Sequence, residues 1–157
     1  MRLCINQKVF SWTDKFFVKD ENGEVRYTVQ GEFFSLGKKL HVYDVSGKEV
    51  ALISQKLLTF LPKYDVYVDG RLLCQVAKEF SLFRPYYTIG GLDWTVEGDF
   101  LDHDYTITEH ERHIATIQKQ WFTWGDCYVA DIDNSINEIM AIAVVLTIDC
   151  VLAAQNS

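Results

Sequence analysis

The chain has 157 residues, 48% of them hydrophobic and 24% charged, which suits one folded domain able to bury about 70% of its unfolded surface and excludes a low-complexity chain. Its formal net charge of −7 is uneven: residues 1–80 hold twelve Lys and Arg against ten Asp and Glu, whereas 81–157 hold three against twelve. No basic stripe results, and phosphate neutralisation supplies most nucleic-acid affinity, so nucleic acid is not an expected partner.

The opening segment, MRLCINQKVFSWTDKFF, lacks the unbroken apolar core of a signal peptide. The four cysteines (Cys4, Cys74, Cys127 and Cys150) form no C-x-x-C pair, so neither a zinc site nor a disulfide framework follows from their spacing. Reduced thiols in a cytoplasmic protein are the expectation. Short runs of alternating apolar and polar residues then recur, punctuated by Asn22-Gly23, Ser46-Gly47, Asp69-Gly70, Gly90-Gly91 and Gly125-Asp126. Gly and Asn accept the positive φ of tight turns, so each pair predicts a hairpin. Pro62 and Pro85 fall at strand boundaries, where a missing N–H does least harm. About twelve antiparallel strands are predicted, at a spacing that argues for a barrel or sandwich.

Within these strands Lys38-Lys39 is the adjacent basic pair. With Lys48 across the Ser46-Gly47 turn it predicts a small positive spot for a phosphate head group, partly offset by Asp44 and Glu49. The plainer reading is a sheet edge protected by lysines. Tyr27–Phe33 (YTVQGEF) returns as Trp94–Phe100 (WTVEGDF), 67 residues later, and Val50–Lys56 (VALISQK) is answered by His113–Lys119 (HIATIQK). Two duplicated meanders of about six strands closing into one barrel would remove their open edges and pool their apolar faces.

Residues 93–111 carry seven carboxylates and no Lys or Arg, with His103, His110 and His113 near Asp99, Asp102 and Asp104. An enzymatic or metal-dependent site on rim loops around residues 93–113 is the alternative reading; a solvated acidic hairpin is the plainer one. The D-x-x-D-x-D run lacks the glycine and terminal glutamate of an EF-hand loop.

Ser135–Ala154 closes the pattern as a nearly all-round apolar segment, with only Thr147 and Asp149 polar among the sixteen residues from Ile139. Ser135-x-x-Glu138 fits a capping box and predicts a helix over about 135–154. A helix without a polar face has to be enclosed, and the strands are the enclosure. Glu138 and Asp149 interrupt the span and neither end carries a basic anchor, so no transmembrane span is expected. Inside a barrel the Asp149 carboxylate needs a hydrogen bond or ion pair at the barrel mouth, an Arg being one candidate. Cys127 and Cys150 have no adjacent base, and no P-loop, G-x-S-x-G, dinucleotide or H-E-x-x-H motif occurs. No catalytic residue, metal ligand or cofactor is assigned.

Phe17–Gly31 reads F-V-x-D-x-x-G-x-x-x-Y-x-V-x-G, Gly47–Lys56 reads G-K-x-V-A-x-I-x-Q-K, and an apolar helix containing an Asp follows. This order of elements, spanning essentially the whole chain, resembles the LURP-one-related proteins of the tubby C-terminal-like superfamily, which includes the phospholipid scramblases. The resemblance implies a mainly β single domain over 1–157: a closed antiparallel barrel of about twelve strands in two pseudo-repeats around a central hydrophobic helix. For function it implies little beyond the lipid binding of tubby domains and the membrane action of scramblases. The expectation is a non-enzymatic binding module whose outer surface meets a membrane phospholipid or a protein partner, with Lys38, Lys39 and Lys48 as candidate ligand-binding residues.

Overall fold

A computed structural model describes residues 1–6, 15–32, 36–79, 86–120 and 127–155. Twelve strands precede one helix: β1 (Arg2–Asn6), β2 (Lys15–Asp20), β3 (Val25–Glu32), β4 (Lys39–Asp44), β5 (Glu49–Gln55), β6 (Lys63–Val68), β7 (Arg71–Glu79), β8 (Tyr86–Gly90), β9 (Trp94–Asp99), β10 (Asp104–Glu109), β11 (Arg112–Gln120), β12 (Cys127–Ile132) and α1 (Glu138–Gln155). All twelve strands form one sheet, ordered β8-β7-β6-β5-β4-β3-β2-β1-β12-β11-β10-β9, and every pairing is antiparallel. β1 joins the two halves, with Leu3 opposite Ala130 and Ile5 opposite Tyr128 on β12. The duplicated segments fall on β3 and β9 and on β5 and β11, six strands apart in each case.

Alternation along the strands explains the curl. Leu40 and Val42 of β4, Ile53 of β5 and Val66 of β6 are wholly buried, while Lys39, His41 and Tyr43 between them are not. The buried faces converge on α1, which is enclosed on every side from Ala141 to Leu152. Full burial of Ile142, Val144, Leu146, Ile148 and Val151 contributes roughly 1.5–3 kcal/mol each in gross transfer free energy, as much together as the net stability of a typical domain. Among the described residues, no helix is long and apolar enough to cross a membrane.

Three of the predicted hairpins are present. Asn22-Gly23 joins β2 to β3, Ser46-Gly47 joins β4 to β5, and Asp69-Gly70 joins β6 to β7. At the last of these both residues have positive φ (48° and 75°), as a two-residue hairpin turn demands. Gly90-Gly91 makes no such hairpin: among the described residues β8 pairs only with β7, and β9 only with β10. Gly91, at φ 103°, presses against β7, where a Cβ would stand 3.0 Å from the Leu73 carbonyl oxygen. The chain therefore leaves β8 along β7 instead of folding onto β8. The sheet's two ends meet through side chains, the Tyr87 and Phe100 rings standing edge to face at 4.6 Å. The barrel is nearly closed rather than continuously laddered. Gly125-Asp126 and Pro85 lie outside the described residues.

The capping box is also corrected. Helix α1 starts at Glu138, and Asn137 caps it, its side-chain oxygen accepting the Ile139 N–H at 3.1 Å. Ser135 donates instead to Asp133, which closes the preceding turn, and accepts from Arg112 at 2.6 Å. Glu138, its side chain largely buried, makes an ion pair with Arg26 at 3.1 Å.

Candidate functional site

Strand alternation sends successive connections to opposite ends of the barrel. The turns at 21–24, 45–48, 69–70 and 110–111 gather at the rim where α1 begins, and all carry polar or charged residues. Residues 36–38, 56–62 and 100–103 gather at the opposite rim, where α1 ends. Their composition is different.

On that second rim Leu36, Leu58 and Phe60 are almost wholly exposed, and Leu57 and Leu101 more than half so. Leu58 has φ 61°, a left-handed conformation costly for a bulky side chain, yet its side chain points into solvent. Neighbouring backbone bonds fix the pair of loops that carry these tips. Gln55 accepts the Lys38 N–H through its side chain at 3.1 Å and donates its own N–H to the Lys38 carbonyl at 2.9 Å. The Lys56 N–H reaches the Lys63 carbonyl at 2.9 Å, closing the base of the β5–β6 loop. Gly37 is required where the two loops touch, because a Cβ there would lie 3.2 Å from both Leu57 and the Gln55 carbonyl oxygen, at φ 90°. Lys38, Lys39, Lys56 and Lys63 stand behind the apolar tips, Lys56 facing Asp65 at 3.8 Å.

The predicted basic spot is therefore split. Lys38 and Lys39 are on this rim, but Lys48 sits in the β4–β5 turn at the other rim, 3.5 Å from Asp69. The six residues of β4 separate them, about 17–20 Å of strand. An edge-facing hairpin does not bring the three lysines together, because Lys39 opens the strand and Lys48 lies past its far end.

Beneath the same rim is a buried polar cluster. Asp149, 4% exposed, accepts hydrogen bonds from the Tyr128 hydroxyl and from His103 Nε2, the latter at 3.1 Å. The partner is a histidine and a tyrosine rather than an arginine; the nearest helix carboxylate paired to an arginine is Glu138, at the opposite end. His103 reaches inward from the β9–β10 loop with φ 50°, its ring stacked on Tyr128 at 4.4 Å. Burial alone would lower the His103 pKa, but the hydrogen bond and charge of Asp149 outweigh it and hold the imidazole above its ordinary value. Burial, reinforced by Asp149, pushes Tyr128 and Tyr105 well above the usual phenol range. The fully buried Tyr105 hydroxyl has no hydrogen-bond partner among the described residues. The arrangement fastens the β9–β10 loop to the helix; it offers no exposed nucleophile.

The other histidines of the acidic stretch do not converge on His103. His110 is in the β10–β11 turn at the opposite rim, and His113 pairs with Thr116 Oγ1 at 2.8 Å. Asp99 caps its own turn, accepting the N–H groups of Leu101 (3.1 Å) and Asp102 (3.2 Å). Among the described residues, no group of three or more His, Cys, Asp and Glu side chains is placed to hold a metal ion.

A profile of the LURP-one-related proteins matches residues 1–149. The chain belongs to the LURP-one-related family. It is 34% identical over 152 residues to the uncharacterized protein YxjI of Bacillus subtilis strain 168, a match covering 97% of this chain and 94% of that protein. Its fold is similar to that of an Arabidopsis thaliana protein solved by X-ray crystallography, with a TM-score of 0.68 at 19% identity over 96% of this chain and 90% of that one. The twelve-stranded antiparallel barrel around one C-terminal helix is the architecture the resemblance implied.

For this family member the apolar rim went unread in sequence, although a signal exists. Leu57-Leu-Thr-Phe-Leu-Pro62 breaks the two-residue period, ends in proline and is bracketed by Lys56 and Lys63. An apolar run that cannot be a strand interior has to be exposed or buried elsewhere, and here it is exposed.

Proposed function

We propose that this protein is a non-enzymatic, cytoplasmic binding module that docks on anionic phospholipid surfaces through the rim carrying Leu36, Leu57, Leu58 and Phe60. The observation that supports this is the exposure of Leu58 and Phe60 at the tip of a loop held in a strained conformation, with Lys38, Lys39, Lys56 and Lys63 behind it. Separate apolar tips backed by cations suit insertion between head groups; a protein partner would be better served by a continuous apolar patch. Each fully buried Leu or Phe is worth about 1.5–3 kcal/mol, and each lysine near an anionic surface about 1 kcal/mol. The lumen is occupied by α1, so an internal ligand has no room.

Flotation with phosphatidylcholine vesicles, with and without phosphatidylserine, tests the reading. The native chain should float with the anionic vesicles, and both Leu58→Asp/Phe60→Asp and Lys38→Glu/Lys39→Glu should lower the bound fraction at least tenfold. Equal recovery of all three chains in the soluble fraction refutes it and returns attention to a protein partner.

A further inference from the structure

Two of the four thiols meet on the outer face of the sheet, where β1 lies between β2 and β12. Leu3 and Ile5 point inward, so Cys4 points out; Tyr128 and Ala130 point inward, so Cys127 points out. Cys4 stands opposite Val129 and Asn6 opposite Cys127, which makes the two cysteines diagonal neighbours across one ladder. Their thiols are in hydrogen-bonding contact, and Cys4 Sγ also donates to the Asn6 side-chain oxygen at 3.4 Å. On its other flank Cys4 faces Lys19 of β2. A groove of about 510 Å³ opens beside the pair, bordered by Arg2, Lys19 and Gln120 as well as by Asp20 and Glu21.

We propose that Cys4 and Cys127 are a redox pair that closes to a reversible cross-strand disulfide by exchange with an anionic low-molecular-weight disulfide held in this groove. Cys4 is the better exposed of the two and attacks first. Its thiolate forms a bond to one sulfur of the small disulfide, and the other sulfur leaves as a thiolate that takes up the proton Cys4 gave away. Cys127 then attacks Cys4 Sγ and expels the second small thiol. Two protein thiols are oxidised, and one small disulfide is reduced to two thiols. Lys19 and Arg2 supply cations for the carboxylates of the oxidant, and Lys19 favours the attacking thiolate.

Two features set the behaviour of the pair. Burial, with the neighbouring Cys127, pushes the Cys4 thiol up to about 12, so exchange is slow at neutral pH. The same burial slows re-opening, because reduction of the disulfide also has to expel a buried thiolate. Diagonal neighbours in a sheet stand about 7–8 Å apart at Cα, slightly beyond the usual disulfide span of 4.4–6.8 Å. Closure therefore draws the strands together beside Asn6 and Cys127, the last described pair of that ladder.

The test is intact-mass and peptide-map analysis of the full chain after incubation with oxidised glutathione at mildly alkaline pH. The native chain should lose two hydrogen masses and link the Cys4 and Cys127 peptides, and reduced glutathione in excess should reverse this. Cys127→Ser should instead retain one glutathione on Cys4, and Lys19→Glu should slow the native reaction roughly tenfold. A stable glutathione adduct on Cys4 in the native chain, a linkage through Cys74 or Cys150, or no reaction after a day would each overturn the proposal. Flotation of the oxidised chain is read separately, since the thiol pair does not depend on lipid docking.

Discussion

Asp149→Ala isolates the buried cluster that ties the β9–β10 loop to the helix. The side chain is 3% exposed and His103 25% exposed, so solvent cannot replace what is lost at the carboxylate. Removing the acceptor strands the Tyr128 hydroxyl in the core, which costs about 1–3 kcal/mol, and removes the partner of a partly buried imidazolium. Breaking a fully buried pair costs about 3–5 kcal/mol, and the partial exposure of His103 argues for the low end. A loss of about 3 kcal/mol is expected, or roughly 6–12 °C in Tm for a domain of this size. Asp149→Asn keeps an acceptor for Tyr128 and loses only the charge, so it should cost about half as much. The folded His103 has a raised pKa, so its contribution is complete below about 6.5 and fades as pH rises through the folded value. The gap between native and Asp149→Asn chains should therefore narrow above pH 6.5. Thermal and urea melts across pH 5.5–8.5 measure this, with Lys48→Ala, at an exposed ion pair with Asp69, as the surface control at 0–1 kcal/mol. If Asp149→Ala melts no lower than Lys48→Ala, the cluster does not hold the loop.

Three further outcomes follow from the same geometry. Asn137→Ala should cost about 1 kcal/mol in chemical denaturation, and Ser135→Ala less, because the helix cap is Asn137; the reverse order would restore the capping box. Gly98→Ala should destabilise by about 2–4 kcal/mol or abolish folding, since a Cβ there would collide with the Asp104 carbonyl oxygen and the Tyr105 backbone at φ 139°, whereas Gly23→Ala, in open space, should cost about 1 kcal/mol; equal melts for the two would contradict the β9–β10 geometry. His41 is gripped by Glu49 and Glu32 at 2.6 Å each, and although burial opposes it, those carboxylates raise its pKa. Its contribution is present below about 6.5 and lost as pH rises through the folded value, so the stability gap between the native chain and His41→Gln should shrink on going from pH 6 to pH 8, and a gap that widens would reverse the sign.

The architecture was legible because it rests on patterns that repeat. Period-two alternation marked the strands, glycine turns marked three of the described hairpins, and the unbroken apolar run after Glu138 required an enclosure. Where the structure departs from the sequence, a nonlocal contact decides. Gly90-Gly91 has hairpin chemistry, but the approach of β7 to Gly91 redirects the chain. Ser135 has capping chemistry, but Asp133 and Arg112 engage it first. His103 and Asp149 lie 46 residues apart, and only the β9–β10 turn brings them together. The lysine spot failed through direction: Lys39 and Lys48 are close in sequence but lie toward opposite ends of one strand pair. The rim leucines escaped notice because exposed apolar side chains have no periodicity to betray them.

The pairing of β1 with β12, and the position of the enclosed helix after all twelve strands, have a consequence for biosynthesis. While the ribosome is still translating β6, none of the interior exists: the strands made so far have neither their neighbour across β1 nor the filling they will surround. The nascent sheet must wait with its greasy side uncovered, and closure becomes a single late event. Chains arrested before residue 138 should stay sensitive to protease along their whole length, and chains released beyond 155 should become resistant in one step. The order of the strands thereby keeps the apolar side of the sheet uncovered until the last element is made.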